Sequence, residues 1–288
     1  METLRTETEA GVRSIIFCRA KEYNTITLQL RQELAAAIDA AESDHEVRVI
    51  LLRAEGPAFC AGYGLDWSTA AQAREKSLEP AASRPAHRVW DSVADLRLMS
   101  SFVDTYLKLW YARKPTLAAV QGWCIGGGTD LVLCADIIIA GESAVFGYPP
   151  ARVWGSPTTA MWVFRMGLER TKRYLFTGDE IPARTAAEIG LILEAVPDPE
   201  LQERALALAR RMARVPTNQL MMMKLLVNHT VENMGFANSR LLGTLFDGIA
   251  RHTQEGLDFV RRAQEAGFRQ AVRERDDPFG DYGSRKKD

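Results

Sequence analysis

The chain has 288 residues, 47% of them hydrophobic and 25% charged, and its 36 basic and 37 acidic side chains leave a formal net charge of −1. This balance suits a globular protein with a sizeable core, and it excludes the strongly basic surface that nucleic acid or an anionic membrane would select. The amino-terminal residues are polar and no apolar run reaches the length of a membrane span, so neither a leader nor an anchor is expected.

In chain order, Val12 to Arg19 reads as a strand. Leu28 to Asp44, with apolar residues at helical spacing, reads as an amphipathic helix. Val47 to Gly56 is a β-branched run closed by Gly-Pro, the mark of a buried strand. Ser68 to Ser92 is polar and alanine-rich with two prolines, long for a connection inside a compact domain, and reads as a lid or binding loop. A helix is predicted from about Asp95 to Ala112, then a strand over Pro115 to Gly122, three glycines, and a helix from about Thr129 to Leu133. Ile137 to Gly141 is a further strand, ending near "AVFGY". From Thr158 onward the pattern is helical, broken by a short strand at "LILEAV". The expected organisation is an α/β core over residues 1–200 and a helical region over 201–288, with no internal sequence repeat. Met221 to Met223 is read as core on an amphipathic helix, with a pliable binding surface as the alternative. "RERDD" and the residues after it are read as a solvated face and polar tail.

Cys18, Cys60, Cys124 and Cys134 lie in apolar contexts without CxxC or Cys/His spacing. They read as buried reduced thiols, which suits a reducing, cytoplasmic compartment, with a catalytic thiol as the alternative. His45, His87, His229 and His252 sit among polar residues and are expected at the surface, so no metal site is expected.

The stretch "VQGWCIGGGTDLVLCAD", Val120 to Asp136, carries the first chemical signal. A strand that runs through glycines into a helix presents backbone N–H groups with no acceptor in the helix, at its positive end. An oxygen that becomes anionic during a reaction is stabilised there. The spacing fits neither a P-loop nor a GxGxxG turn. Tight helix–strand packing, with Asp130 as an ordinary first-turn acid, is the alternative. The second signal is "GPAFCAGYGLDW", Gly56 to Trp67, which also places small residues just beyond a strand. An oxyanion hole needs two N–H donors aimed at one oxygen, and two strand-end turns can supply one each.

These stretches, together with "KPTLAAVQG", "AVFGYPPARVWGSPTT" and "TGDEIPARTAAEIGLILEAV", resemble the crotonase (enoyl-CoA hydratase/isomerase) superfamily in order and spacing. The resemblance implies a crotonase-like ββα spiral with a helical C-terminal region that drives assembly into a homotrimer or hexamer. It implies an acyl-CoA substrate, with coenzyme A as part of that substrate and no separate cofactor. It places the thioester oxygen between the main-chain N–H groups of Tyr63 and Gly127. Arg19, Ala20 and Lys21 match the stretch that contacts coenzyme A, and Ala61 and Leu65 flank the first donor. Arg19 and Lys21 also read as solvated loop charges.

The chain departs from the family pattern at both catalytic acids. A typical hydratase has two glutamates; here the matching positions hold Asp130 and Pro150. Proline can neither activate water nor donate a proton. The position of a further acid in some relatives falls at about Thr158. Arg152, Trp154, Asp66, His87 and Asp91 are candidates to fill the gap, each with a surface or wall role as its alternative. The expected activity is therefore hydration or isomerisation of an enoyl-CoA with Asp130 as acid/base. The alternatives are another crotonase reaction, such as thioester hydrolysis, C–C cleavage or dienoyl isomerisation, and a non-catalytic acyl-CoA binder.

Overall fold

The computed structural model describes residues 1–63 and 92–282. β1 (Leu4–Glu9) and β2 (Val12–Phe17) form an antiparallel hairpin around Ala10 and Gly11, both with positive φ. The sequence pattern does not announce β1, because every residue after Leu4 in it is exposed. α1 (Leu28–Ser43) starts where the Thr27 hydroxyl accepts from the Leu30 amide at 3.1 Å. It buries Leu30, Leu34, Ala37, Ile38 and Ala41, one face at helical spacing.

A ββα unit then repeats. β3 (Val49–Ala54) and β4 (Ala58–Cys60) precede α2 (Ser92–Tyr111). β5 (Thr116–Val120) and β6 (Trp123–Ile125) precede α3 (Gly127–Val132). β7 (Ile137–Gly141) and β8 (Val145–Gly147) precede α4 (Met161–Met166) and α5 (Leu168–Thr177). β9 (Ile181–Pro182), α6 (Ala183–Glu188) and β10 (Glu194–Val196) close the core. The first strand of each unit joins one sheet, ordered β1-β2-β3-β5-β7-β10, and the second joins another, ordered β4-β6-β8-β9. This is the expected α/β spiral. Its single predicted strand ending near "AVFGY" is in fact two, β7 and β8, split between the sheets.

The larger sheet is covered on both faces, which explains why β3 reads as a continuous apolar run. Ile50 and Leu52 face the main core with Phe17, Phe102 and Tyr106. Val49 and Leu51 face Leu201, Ala205 and Ala209 of α7 (Leu201–Met212). The remaining helices are α8 (Thr217–Asn233), α9 (Phe236–Ala250), α10 (Gln254–Ala266) and α11 (Phe268–Asp276).

Three expectations are corrected here. α8 buries none of its residues, and Met222 and Met223 are half exposed, so the methionine run is surface rather than core. Residues 276–282 are not a free polar tail. Asp276 and Asp281 are buried because the Arg152 guanidinium pairs with both, at 2.8 and 2.7 Å. His252 is not at the surface: its side chain is largely buried, 3.9 Å from Asp95. Cys60, Cys124 and Cys134 are buried free thiols, as expected, and Cys18 is half-buried. Burial pushes the Cys60 thiol up to about 12, which removes its nucleophilicity at neutral pH. Among the described residues no helix is long and apolar enough to cross a membrane.

Candidate active site

β4, β6 and β8 run parallel, with Cys60 beside Cys124 and Ile125 beside Gly147. Their carboxy-terminal ends therefore emerge side by side. The turns that follow them are Ala61–Tyr63, Gly126–Gly127 and Tyr148–Pro150, and all three line one cavity of about 370 Å³. Ligands in sheets of this kind collect outside the carboxyl ends of the strands.

The glycines have a reason that is visible in the contacts. Gly62 has φ +87°, and a Cβ there would stand 2.9 Å from the Ile125 carbonyl oxygen and 3.4 Å from the Gly127 nitrogen. A Cβ on Gly127 would stand 2.7 Å from Cε2 of Tyr63, and one on Gly128 would overlap the Cys60 carbonyl oxygen. The two turns are pressed together to a spacing that only glycine permits. Gly127 and Gly128 open α3, so their amides have no acceptor within the helix, whereas Thr129 and Asp130 donate to the Gly126 carbonyl at 2.9 and 3.2 Å. The Tyr63 ring meets Phe102 edge-on at 5.5 Å, and its hydroxyl accepts from Tyr106 at 3.2 Å. Burial holds both phenols well above their ordinary pKa.

Asp130 is fully buried and lies behind the cavity wall rather than among the residues that line it. Its Oδ1 accepts long hydrogen bonds from the Thr159 amide, at 3.5 Å, and hydroxyl, at 3.4 Å. Among the described residues, its Oδ2 has no hydrogen-bond partner. Burial pushes its carboxyl up to about 7, with Asp247 adding repulsion; Thr158 and Thr159 partly offset both. Asp130 is thus poised between acid and base near neutral pH.

The opposite wall comes from the carboxy-terminal helices. Asp247 of α9, Arg251 just past its end, and Phe268, Arg269, Val272, Arg275 and Asp276 of α11 line the cavity, with Tyr282 beyond them. Arg251 pairs with Asp247 one turn earlier and with Asp95 of α2 at 2.8 Å. Burial raises the Asp247 carboxyl while Arg251 draws it down. Arg152 is 2% exposed at its side chain and does not line the cavity. It ties residues 276–281 to the core, donating to Asp276, Asp281 and the Thr177 carbonyl, with the Phe279 ring 3.9 Å away. Trp154 does line the cavity and stacks on Phe259 at 4.9 Å, so it is wall.

Of the residues singled out from sequence, the fold brings Ala61, Tyr63 and Gly127 together at the cavity and sets Asp130 directly behind them. Arg19, Ala20 and Lys21 do not line it. The Arg19 guanidinium donates to the Thr25 carbonyl at 2.9 Å, Ala20 packs on Gly56, and Lys21 is exposed. Leu65, Asp66, His87 and Asp91 lie outside the described residues. Thr158 is fully buried beside Asp130. The α9 and α11 residues carried no motif. The one available signal was a pair of glycines on α9, Gly243 and Gly248, which mark a helix face that must approach something closely.

The sequence profile of the family described as enoyl-CoA hydratase/isomerase matches residues 7–270. The chain belongs to the enoyl-CoA hydratase/isomerase family. A crystal structure of an enoyl-CoA hydratase from Mycobacterium smegmatis superposes with a TM-score of 0.90 at 42% identity, covering 99% of this chain and 97% of that one. EchA13 of Mycobacterium tuberculosis, named as an enoyl-CoA hydratase, is 35% identical over 252 residues, 82% of this chain and 76% of its own. The 1,2-epoxyphenylacetyl-CoA isomerase of Escherichia coli is 30% identical over 242 residues, 81% of this chain and 84% of its own.

Proposed function

We propose that this protein acts on an acyl-CoA thioester, hydrating or isomerising an enoyl group through an enolate. The thioester oxygen sits between the main-chain N–H groups of Tyr63 and Gly127. Charge that builds on that oxygen acidifies the α-carbon and makes the β-carbon electrophilic, and each donor contributes on the order of 3 kcal/mol of transition-state stabilisation. Asp130 acts as acid/base from behind the two turns. The observation that carries the reading is the contact between the two turns at the mouth of one cavity, Gly62 against Gly127 and Gly127 against Tyr63. The unpartnered Oδ2 of Asp130 supports its role. A panel of enoyl-CoA substrates assayed on wild type and Asp130→Ala tests it. Turnover should fall at least about 100-fold in the variant with little change in thioester affinity; equal rates would end the assignment.

A second reading has its own support. Pro150 and the recessed Asp130 leave no carboxylate from the strand-end turns in the cavity wall, among the described residues. That favours chemistry needing one proton-transfer group, isomerisation, over hydration, which uses two. Product analysis by mass spectrometry in labelled water separates them, because only hydration incorporates solvent oxygen. The proposal includes a homotrimer or a dimer of trimers. Leu225, Leu226 and Val227 of α8 and Leu241 and Leu242 of α9 are each at least 50% exposed, and this much exposed apolar surface needs covering. Sedimentation at a monomer's mass would remove that part.

A further inference from the structure

We infer that Asp247 of α9 supplies the cavity carboxylate that Pro150 leaves out, taking the α-proton of the bound thioester. This rests on the acyl-CoA reading above.

The placement follows from the face of α9. Gly243, Thr244, Asp247 and Gly248 share one side of the helix, at i, i+1, i+4 and i+5. A Cβ on Gly243 would stand 2.5 Å from the Pro157 carbonyl oxygen, and one on Gly248 would stand 2.7 Å from Oδ2 of Asp95. The Thr244 hydroxyl donates to the Thr158 carbonyl at 3.1 Å. Missing side chains thus let α9 settle onto the loop that follows β8 and onto α2, and Asp247 projects between the two contact points. Asp247 and Pro150 line the same cavity and are linked through Ser156 and Gly155. Its Oδ1 accepts from the Ser156 amide at 3.4 Å. Neighbouring Gly155 packs on Pro150, where a Cβ would stand 2.6 Å from the proline Cβ. Pro150 in turn lies against Gly126 of the triplet, its Cγ 3.4 Å from where a Cβ would be.

Two carboxylates line the cavity among the described residues, Asp247 and Asp276. Asp276 is engaged by Arg275 through both oxygens, at 2.8 and 2.7 Å, and by Arg152. Among the described residues, Asp247 pairs with one cation, Arg251, which it shares with Asp95. Arg251 keeps the Asp247 carboxylate available as a base without saturating it. In the step, the α-carbon C–H bond breaks and its proton passes to an Asp247 oxygen. The electron pair moves toward the thioester oxygen as the enolate. Return of the proton to the α- or γ-carbon restores the carboxylate, so no co-reactant is consumed.

The test measures α-proton exchange of hexanoyl-CoA and 3-hexenoyl-CoA in deuterium oxide by NMR, with thioester affinity by calorimetry on the same full-length samples. Asp247→Asn keeps the shape and leaves Arg251 paired with Asp95. It should bind within about threefold of wild type and exchange at least about 100-fold more slowly. Asp247→Glu keeps the charge that Arg251 requires and so covers failure of the Asn variant to fold; its carboxylate is displaced by a methylene, and exchange should fall at least about tenfold. Exchange at the wild-type rate in either folded variant overturns the assignment, and so does loss of affinity in step with exchange. Wild type that binds both thioesters without exchanging them overturns it while sparing the hole at Tyr63 and Gly127. Wild type that binds neither overturns the acyl-CoA reading and this inference with it.

Discussion

The two walls of the cavity are built on opposite principles. The strand-end wall consists of main chain held by glycine: Gly62, Gly126 and Gly127 stand at the ends of β4 and β6, and the neighbouring turn excludes any larger residue at Gly127. The helical wall consists of side chains held by charge. Arg251 spans Asp247 and Asp95, Arg152 spans Asp276 and Asp281, and Arg275 grips Asp276. Main-chain donors fixed by a sheet keep their geometry whatever the side chains become, which suits the part of a reaction that relatives share. Paired side chains can be exchanged one at a time, which suits the part that differs. A cavity carboxylate that the strand-end wall does not supply is therefore to be sought in the wall made of replaceable parts.

The largest expected effect tests how far the helical wall depends on its cations. Arg152→Leu leaves buried Asp276 and Asp281 without their shared partner, and breaking a buried ion pair costs about 3–5 kcal/mol. Denaturant unfolding should show that loss, and proteolysis should reach the chain end beyond Phe279 first. A cost under about 1 kcal/mol would mean that the chain end is not integral to the wall. The next effect belongs to the other wall. Gly127→Val drives a side chain into the Tyr63 ring, which stands 2.7 Å from the position of its Cβ, and shifts one of the two proposed donors. Turnover should fall about 100- to 1000-fold, the cost of one lost oxyanion donor, while Arg152→Leu at a temperature where it remains folded retains more activity. The reverse order of activities would invert the assignment of shared chemistry to the strand-end wall.

The same contrast explains what was legible in the sequence. Buried parallel strands such as β3 and β5 read as apolar runs, and α1 showed its apolar face, because those patterns are local. The turns at Ala61–Tyr63 and Gly126–Gly128 were legible because a close backbone approach selects glycine at fixed offsets from a strand. The ββα repeat was not, since its units share geometry but no residues, and short strands such as β6 and β8 carry too few residues to show alternation. The helical wall was hidden for a different reason. Asp247, Asp276 and Asp281 look like surface acids until Arg251 and Arg152, four to 129 residues away, are brought to them by the fold. The Met221–Met223 run failed the other way: an apolar helical period marks a face that will be covered, without saying by what.

The smallest expected effect separates the walls by pH. The Asp130 carboxyl has its pKa raised by burial, and by Asp247 across the cavity wall, from the usual carboxylate range to about 7 in the folded state. The folded protein therefore holds this proton more tightly than the unfolded chain. The group contributes most stability below about pH 4, where both states are protonated, and that stability is lost as pH rises through about 7, where the folded state must bury a charge. The slope approaches about 1.4 kcal/mol per pH unit within the window and vanishes above it. Asp130→Asn removes the titrating group and keeps the shape. Denaturant unfolding of wild type and this variant at pH 5, 6 and 8 should show the variant gaining on wild type as pH rises, then running parallel to it. Glu33 titrates in the opposite sense, because amide and hydroxyl donors at Glu2 and Thr3 pull it down to about 2, so its contribution is lost only as pH falls below the window. The subtraction isolates Asp130 from it. A difference that stays flat from pH 5 to 8 would mean that water or a rearranged partner already satisfies Oδ2, and the strand-end wall would then lose its proposed acid while keeping its amides.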